Sequence, residues 1–431
     1  MADSKLKNIN DIDDDDDVVE QQKLIKKTEH LLNVVGKGVF CLVLQNSMEY
    51  FVGPGLIDRL SSNPTQTART LGLLGGGGAL LEFFSTPLSG KLSDATGRKP
   101  FVVWAPAVVA CCRAFVAISP SLLSTSINRI ISAAAMTSYF TIWRAALADL
   151  TTQIKGKASF ASANALIGVY AGTAAIFGPL LSSTFINYFG IDKGVTIIYS
   201  ICCVLMSINT YLMGSMFPET LKPSERKPFK LSDAAPWSFI QLYKTSPIFA
   251  KLMAVQGIQT VAEGRNIGDV NYLTMAEDYG WDTAKIARQY SLMGISLVGS
   301  GLMVKKSLST FGLRGHTTLS NITNGFGFAF WGSGNLLARY GIPIDATMLI
   351  ALALLIPGGR KRDGVESLIV NLGEKHGYGR GFVSGAQMNN RAVVNIISPI
   401  VLGYMYSIAT RGGRKNGYVP WLFCALTAFL A

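Results

Sequence analysis

Gly90-Lys91-Leu92-Ser93-Asp94-Ala95-Thr96-Gly97-Arg98-Lys99-Pro100 joins two apolar runs, residues 70–90 and 101–119. Each run approaches the roughly 20 residues a helix needs to cross a bilayer, so the polar stretch reads as a short loop between two membrane spans. Its residues have separate uses. Gly90 permits close helix approach, Gly97 permits a tight turn, and Asp94 can pair with a nearby arginine.

The pattern of that hairpin repeats along the chain. Hydrophobic residues make up 49% of the 431 and charged residues only 15%, against about 25% in ordinary globular domains, so many surfaces never meet water. Twelve apolar segments follow: 31–56, 70–90, 101–119, 126–150, 158–185, 194–217, 248–275, 286–304, 317–337, 344–372, 381–408 and 418–431. Two are irregular. The tenth is interrupted by Arg360, Lys361, Arg362 and Asp363, and the twelfth, Tyr418 to Ala431, is too short to cross and reads as an incomplete helix.

The net charge of +12 is spread in small clusters between spans and forms no single stripe, which argues against a nucleic-acid partner. Six cysteines lie inside apolar runs with no metal or disulfide spacing, and no cofactor motif is present. Residues 1–30 are polar, with an acidic run from Asp13 to Asp17, and read as a disordered cytoplasmic tail. Lys23, Lys26, Lys27, Lys91, Lys99, Lys155 and Lys157 flank alternate loops and put that tail in the cytoplasm by the positive-inside rule. The polar interval 218–247 divides the chain into bundles 31–217 and 248–431, and its Trp237, Phe239, Ile240 and Tyr243 suit a short interfacial helix.

With these spans in place, residues 90–100 resemble the GxLxDRxGRK signature of the major facilitator superfamily. The flank Glu82-Phe83-Phe84-Ser85-Thr86-Pro87 resembles the tetracycline-efflux-like branch of drug:proton antiporters, with Ala95 and Glu82 standing where that branch carries Arg and Gln. Ala148-Asp149-Leu150 resembles the family's fourth-helix ending, and Gly178-Pro179 with Ser182 and Ser183 its fifth-helix antiporter motif. Phe217-Pro218-Glu219-Thr220 resembles the sixth-helix exit. The resemblance implies an all-α fold of two six-helix bundles, a monomer embedded in membrane lipid at the plasma membrane or an endomembrane. It also implies a gating latch of Gly90, Asp94, Gly97, Arg98, Lys99 and Asp149, helix packing through Gly178 and Pro179, and proton antiport with efflux. The second half echoes the first, Gly312 matching Gly97 and Ser398-Pro399 matching Gly178-Pro179.

Polar residues inside spans are expensive and mark a transport pathway. Gln45 and Glu49 share a helix face, as do Gln256, Gln259, Glu263 and Asn266, and Gln387, Arg391 and Asn395. Glu82 falls near midplane. Arg265 is close to Glu263 but on another face, so the partner of Glu263 is expected from Arg391 or Arg360. Arg360, Arg362 and Asp363 have two readings, a charge cluster lining the cavity on a continuous helix, or a broken helix. Arg113 and Arg129 read as structural or interfacial. The three histidines map to span edges, leaving Glu49, Glu82 or Glu263 to carry a proton. The expected function is alternating-access transport of a small organic solute, proton-coupled and more readily anionic than cationic, with no enzymatic motif. An uncoupled facilitator and a transport-dead receptor or scaffold are the alternatives.

Overall fold

In the computed structural model, residues 15–61, 63–151, 159–221, 223–226, 228–229, 235–378, 380–411 and 416–431 are described. Those residues are helical with short connections. The first six helices are α1 (Asp15–Leu60), α2 (Pro64–Thr96), α3 (Lys99–Ile118), α4 (Leu122–Thr151), α5 (Ser159–Phe189) and α6 (Ile191–Met216). Then come α7 (Phe239–Thr245), α8 (Pro247–Val261), α9 (Arg265–Leu273), α10 (Thr283–Gly332), α11 (Gly334–Ala338), α12 (Ile344–Gly358), α13 (Lys361–Lys375), α14 (Arg380–Ala409) and α15 (Val419–Leu430). Among the described residues six helices, α1, α2, α3, α5, α6 and α14, are long and apolar enough to cross a membrane. The acidic run before Asp15 and the Lys222, Lys227 and Lys230 cluster fall outside the described residues.

Local chemistry sets the boundaries. Asn63 caps α2, its Oδ1 accepting from the Gln66 N–H at 2.8 Å, and Pro64 fills the first turn, where its missing donor costs nothing. α2 stops at Gly97, whose φ of 112° and ψ of 161° lie in a region essentially reserved for glycine. Ser246 and Asp282 cap α8 and α10 in the same manner as Asn63. Gly312, at φ 67°, bends α10 where two spans meet, so the paired loop glycines of the two halves share a positive-φ backbone.

Two seams join the early helices to the late ones: α2 runs along α14, and α5 along α10. Helices in lipid lack the drive to associate that water supplies, so close backbone approach has to hold them. A Cβ on Gly72 would stand 2.6 Å from the Pro399 carbonyl oxygen, and one on Gly403 2.5 Å from that of Ala68. Across the second seam Ser291 Oγ donates to the Ile176 carbonyl at 2.8 Å. Within the early helices α5 presses on α1 at Gly178, where a Cβ would meet the Ser47 Cβ at 2.5 Å. Gly90 differs from expectation: nothing lies within 4 Å of a Cβ built there, because α2 faces open space at that turn.

The seventh and tenth spans are discontinuous. α8 ends at Val261, and Ala262, Glu263 and Gly264 form a turn, with Gly264 at φ 50°, before α9 begins. α12 and α13, 15 residues each, are separated at Gly359 and Arg360. Buried Trp331 and Trp421 brace the first break from beyond α9. Their indole N–H groups donate to Asn271 Oδ1 and Thr274 Oγ1, both at 2.8 Å, so neither ring buries an unpaired donor.

Candidate functional site: a charge-lined space between the two sets of helices

Arg113 of α3 is 1% exposed and anchors a network on the early helices. It donates to Gln45 Oε1 at 2.9 Å and Asn128 Oδ1 at 2.8 Å, and its Nη1 lies 3.3 Å from Glu49 Oε1. Tyr199 and Asn128 also donate to Glu49, at 3.3 and 3.4 Å. A buried guanidinium without such partners would be prohibitively costly, so the cluster exists as a unit.

Among the described residues two ion pairs cross between the sets of helices. Arg129 of α4 holds Asp269 of α9 through Nη2, at 2.8 Å to Oδ1 and 2.6 Å to Oδ2. Arg265 of α9 engages Glu82 of α2 through both carboxylate oxygens. Tyr50 adds a hydrogen bond, at 3.2 Å, to the Gly264 carbonyl in the α8–α9 turn. These groups line a cavity of about 220 Å³ with Glu49 and Arg113.

A neighbouring cavity of about 420 Å³ shares Asn46 and Tyr50 with it and reaches Glu263 and Lys361. Glu263 pairs with Arg362, whose Nε lies 2.9 Å from its carboxylate. Arg391 and Arg360 do not fill that role, because the α12–α13 break resets the register and brings Arg362 to the α8–α9 turn. Arg391 instead faces Glu366 at 3.6 Å, and Arg360 faces Asp363 at 4.0 Å. A third cavity, of about 640 Å³, is lined by Arg144 of α4 and by Asp363, Glu366, Gln387 and Arg391 of α13 and α14. The helix break therefore coexists with a charge cluster at the cavities.

The expected glutamine stripe is packed inward. Gln256 donates to Gln387 Oε1 at 3.4 Å, and Gln259 donates to Asn321 Oδ1 and the Lys361 carbonyl at 3.0 and 3.2 Å. Both are fully buried, and the turn at residues 262–264 separates them from Asn266, which bonds Asn395. Sequence reasoning missed Asp269, Lys361, Asn128 and Asn324 and set Arg113 and Arg129 aside. One signal was present for Asp269: it follows Arg265 by four residues, hence on the same helix face.

At the far end of α2, Arg98 Nη1 donates to Asp94 Oδ1 at 2.5 Å and to Ser93 Oγ at 2.8 Å. Glu219 accepts from the backbone N–H groups of Arg98 and Lys99, at 3.0 and 3.2 Å, and so caps α3. It also accepts from Thr220 and Leu221. Burial pushes the Glu219 carboxyl up, but these four donors outweigh it and hold the group below its usual value. The Asp149 side chain lies outside the described residues.

Comparison with known proteins agrees with this architecture. A chain from Bos taurus, hippocampus abundant transcript-like protein 1, is 23% identical over 361 residues, 80% of this chain and 65% of its own length, so the chain spans just under two thirds of that relative. The crystal structure of the nucleoside transporter NupG, in a mutant form, superposes with a TM-score of 0.74 at 14% identity, covering 93% of this chain and 97% of that one. The human organic anion transporter MFSD10 (TETRAN) gives 0.63 at 17%, covering 94% and 99%. The sequence profile of the Major Facilitator Superfamily matches residues 38–399, and the chain is a multi-pass integral membrane protein that belongs to that superfamily.

Proposed function

We propose that the chain is a proton-coupled secondary transporter of a small organic anion, working by alternating access. The observation that carries this reading is the set of cavities lined by both groups of helices, with seams drawn together at one end. The α2–α14 seam closes toward Pro64 of α2 and Ala409 of α14, whereas the cavity of about 640 Å³ lies toward Arg144 and Arg391. With the N-terminal tail cytoplasmic, this is an inward-facing arrangement, closed outside.

Glu263 is the first choice for the proton carrier. It lines the central cavity, sits in an unwound turn between two helix halves, and among the described residues forms its ion pair with Arg362. Protonating it breaks the pair and leaves the Arg362 charge unmatched within the late helices, so the proton and a substrate anion are linked through that charge. Glu49 is held by three side-chain donors and Glu82 by a two-oxygen clasp, which ties both to structure more firmly. The organic anion transporter among the similar structures is consistent with an anionic cargo, and outward direction rests on the efflux-like motif around Glu82 alone.

The test is uptake of a panel of organic anions into proteoliposomes with and without a pH gradient. Accumulation that requires the gradient supports the reading. Equal uptake in both conditions makes the chain an uncoupled facilitator, and no uptake of any member makes it a receptor or scaffold on a transporter fold.

A further inference from the structure

Charge counting separates the three cavities. The one of about 220 Å³ holds Glu49, Glu82 and Asp269 against Arg113, Arg129 and Arg265, three acids and three bases, with every acid paired. The one of about 640 Å³ holds Asp363 and Glu366 against Arg144 and Arg391, again balanced. The remaining cavity, of about 420 Å³, is lined by Glu263 and Lys361, and Glu263 is already neutralised by Arg362. Lys361 is therefore in excess. Its side chain is 2% exposed, and among the described residues its Nζ has no carboxylate in ion-pair range, only Asn324 Oδ1 at 2.9 Å and the Phe328 ring at 5.7 Å.

A buried ammonium with a single neutral acceptor has lost most of its hydration and regained little. In a transporter such a group marks an ion pathway. The wall beside it is apolar: Ile267, Met293, Leu297, Phe328, Leu352 and Leu355 line the same cavity. The volume lies inside the range of small-molecule sites.

We infer that Lys361 is the anchor for the anionic group of the substrate, and that the substrate is a monoanion with a compact apolar or aromatic body. The apolar wall takes the body, Asn324 orients the ammonium, and the anion supplies the negative charge that Glu263 gives to Arg362. With Glu263 ionised, a dianion would leave one charge unmatched, and a cation would meet Lys361 directly. This inference rests on the transporter reading for its meaning, but binding is measurable apart from transport.

The probe is 2-naphthalenesulfonate, which stays charged and does not cross lipid as a neutral acid. Its comparators are the neutral 2-naphthalenesulfonamide and methanesulfonate, which has the charge without the body. Calorimetric titration of the full chain in detergent should give binding of the first that exceeds both others. Lys361→Met should weaken it about ten- to a hundredfold, the range for a hydrogen bond to a charged group, while Lys361→Arg retains it. Methionine removes the charge without creating a void, so folding is preserved and is checked by thermal unfolding. Equal affinity in Lys361→Met, equal affinity for the sulfonamide, or no binding of the sulfonate overturns the inference. Lys361-dependent binding without uptake into proteoliposomes leaves the site standing and removes the transport reading, whereas uptake indifferent to Lys361→Met does the reverse.

Discussion

Arg265 of α9 clasps Glu82 of α2 through both carboxylate oxygens, tying the late helices to the early ones beside the α2–α14 seam. Removing Arg265 leaves the largely buried Glu82 carboxylate without its partner, whereas Arg265, 35% exposed, keeps part of its hydration when Glu82 is removed, so the loss is at most about 1.5–3 kcal/mol. Glu82→Gln and Arg265→Gln should each shift the chain toward separation of the seam by up to that amount. Spin-label distances between Ser61 and Arg411 should lengthen in each single variant. The exchanged pair, Glu82→Arg with Arg265→Glu, should recover part of the loss, since it restores opposite charges at the same two positions.

Gly90, inside the last turns of α2, and Gly97, just past its end, should respond differently to alanine. At Gly97 the backbone is one only glycine adopts readily, and a Cβ would stand 2.5 Å from Glu219 Oε2, so Gly97→Ala should lower the thermal unfolding midpoint, with strain on the order of 1–3 kcal/mol. At Gly90 a Cβ meets nothing within 4 Å, and alanine in a helix interior gains about 0.5–1 kcal/mol over glycine. Gly90→Ala should therefore leave the midpoint unchanged or raise it.

Glu219 gives the fold a pH dependence of known sign. Its carboxyl is held below the ordinary value of about 4.3, so the unfolded chain takes up a proton there before the folded one does. The stabilisation is present in full above that ordinary value and is lost as pH falls through the folded one. Wild type should unfold at higher temperature than Glu219→Gln at pH 7, and the gap should close as pH drops below about 4. A gap independent of pH would assign the difference to packing.

The spans were legible because a run of some 20 apolar residues has few other uses, and Gly97 and Gly312 were legible because a tight turn between two spans favours a residue free to adopt positive φ. Glu82, Glu263 and Arg265 stood out as charges inside such runs. Which of the candidate charges pair with one another did not. A helical wheel drawn through residues 248–275 assumes continuity, and the turn at Ala262 to Gly264 takes Glu263 off the helix and aims α9 at α1 and α2. The same holds after Gly359, where a new start places Lys361 toward Phe328 and Arg362 toward Glu263, which a continuous tenth span would not. Asn128 and Arg113 became readable only once α1, α3 and α4 were side by side, since their meaning lies in partners 15 to 79 residues away.

Proton coupling through Glu263 is the claim on which the account turns, and pH-gradient-driven accumulation of 2-naphthalenesulfonate in proteoliposomes carrying Glu263→Gln tests it most directly. The amide keeps the shape of the side chain but releases no proton. The account predicts that accumulation against a gradient is abolished while exchange of internal for external sulfonate persists. Accumulation at the wild-type level in Glu263→Gln would contradict it and pass the role to Glu49 or Glu82.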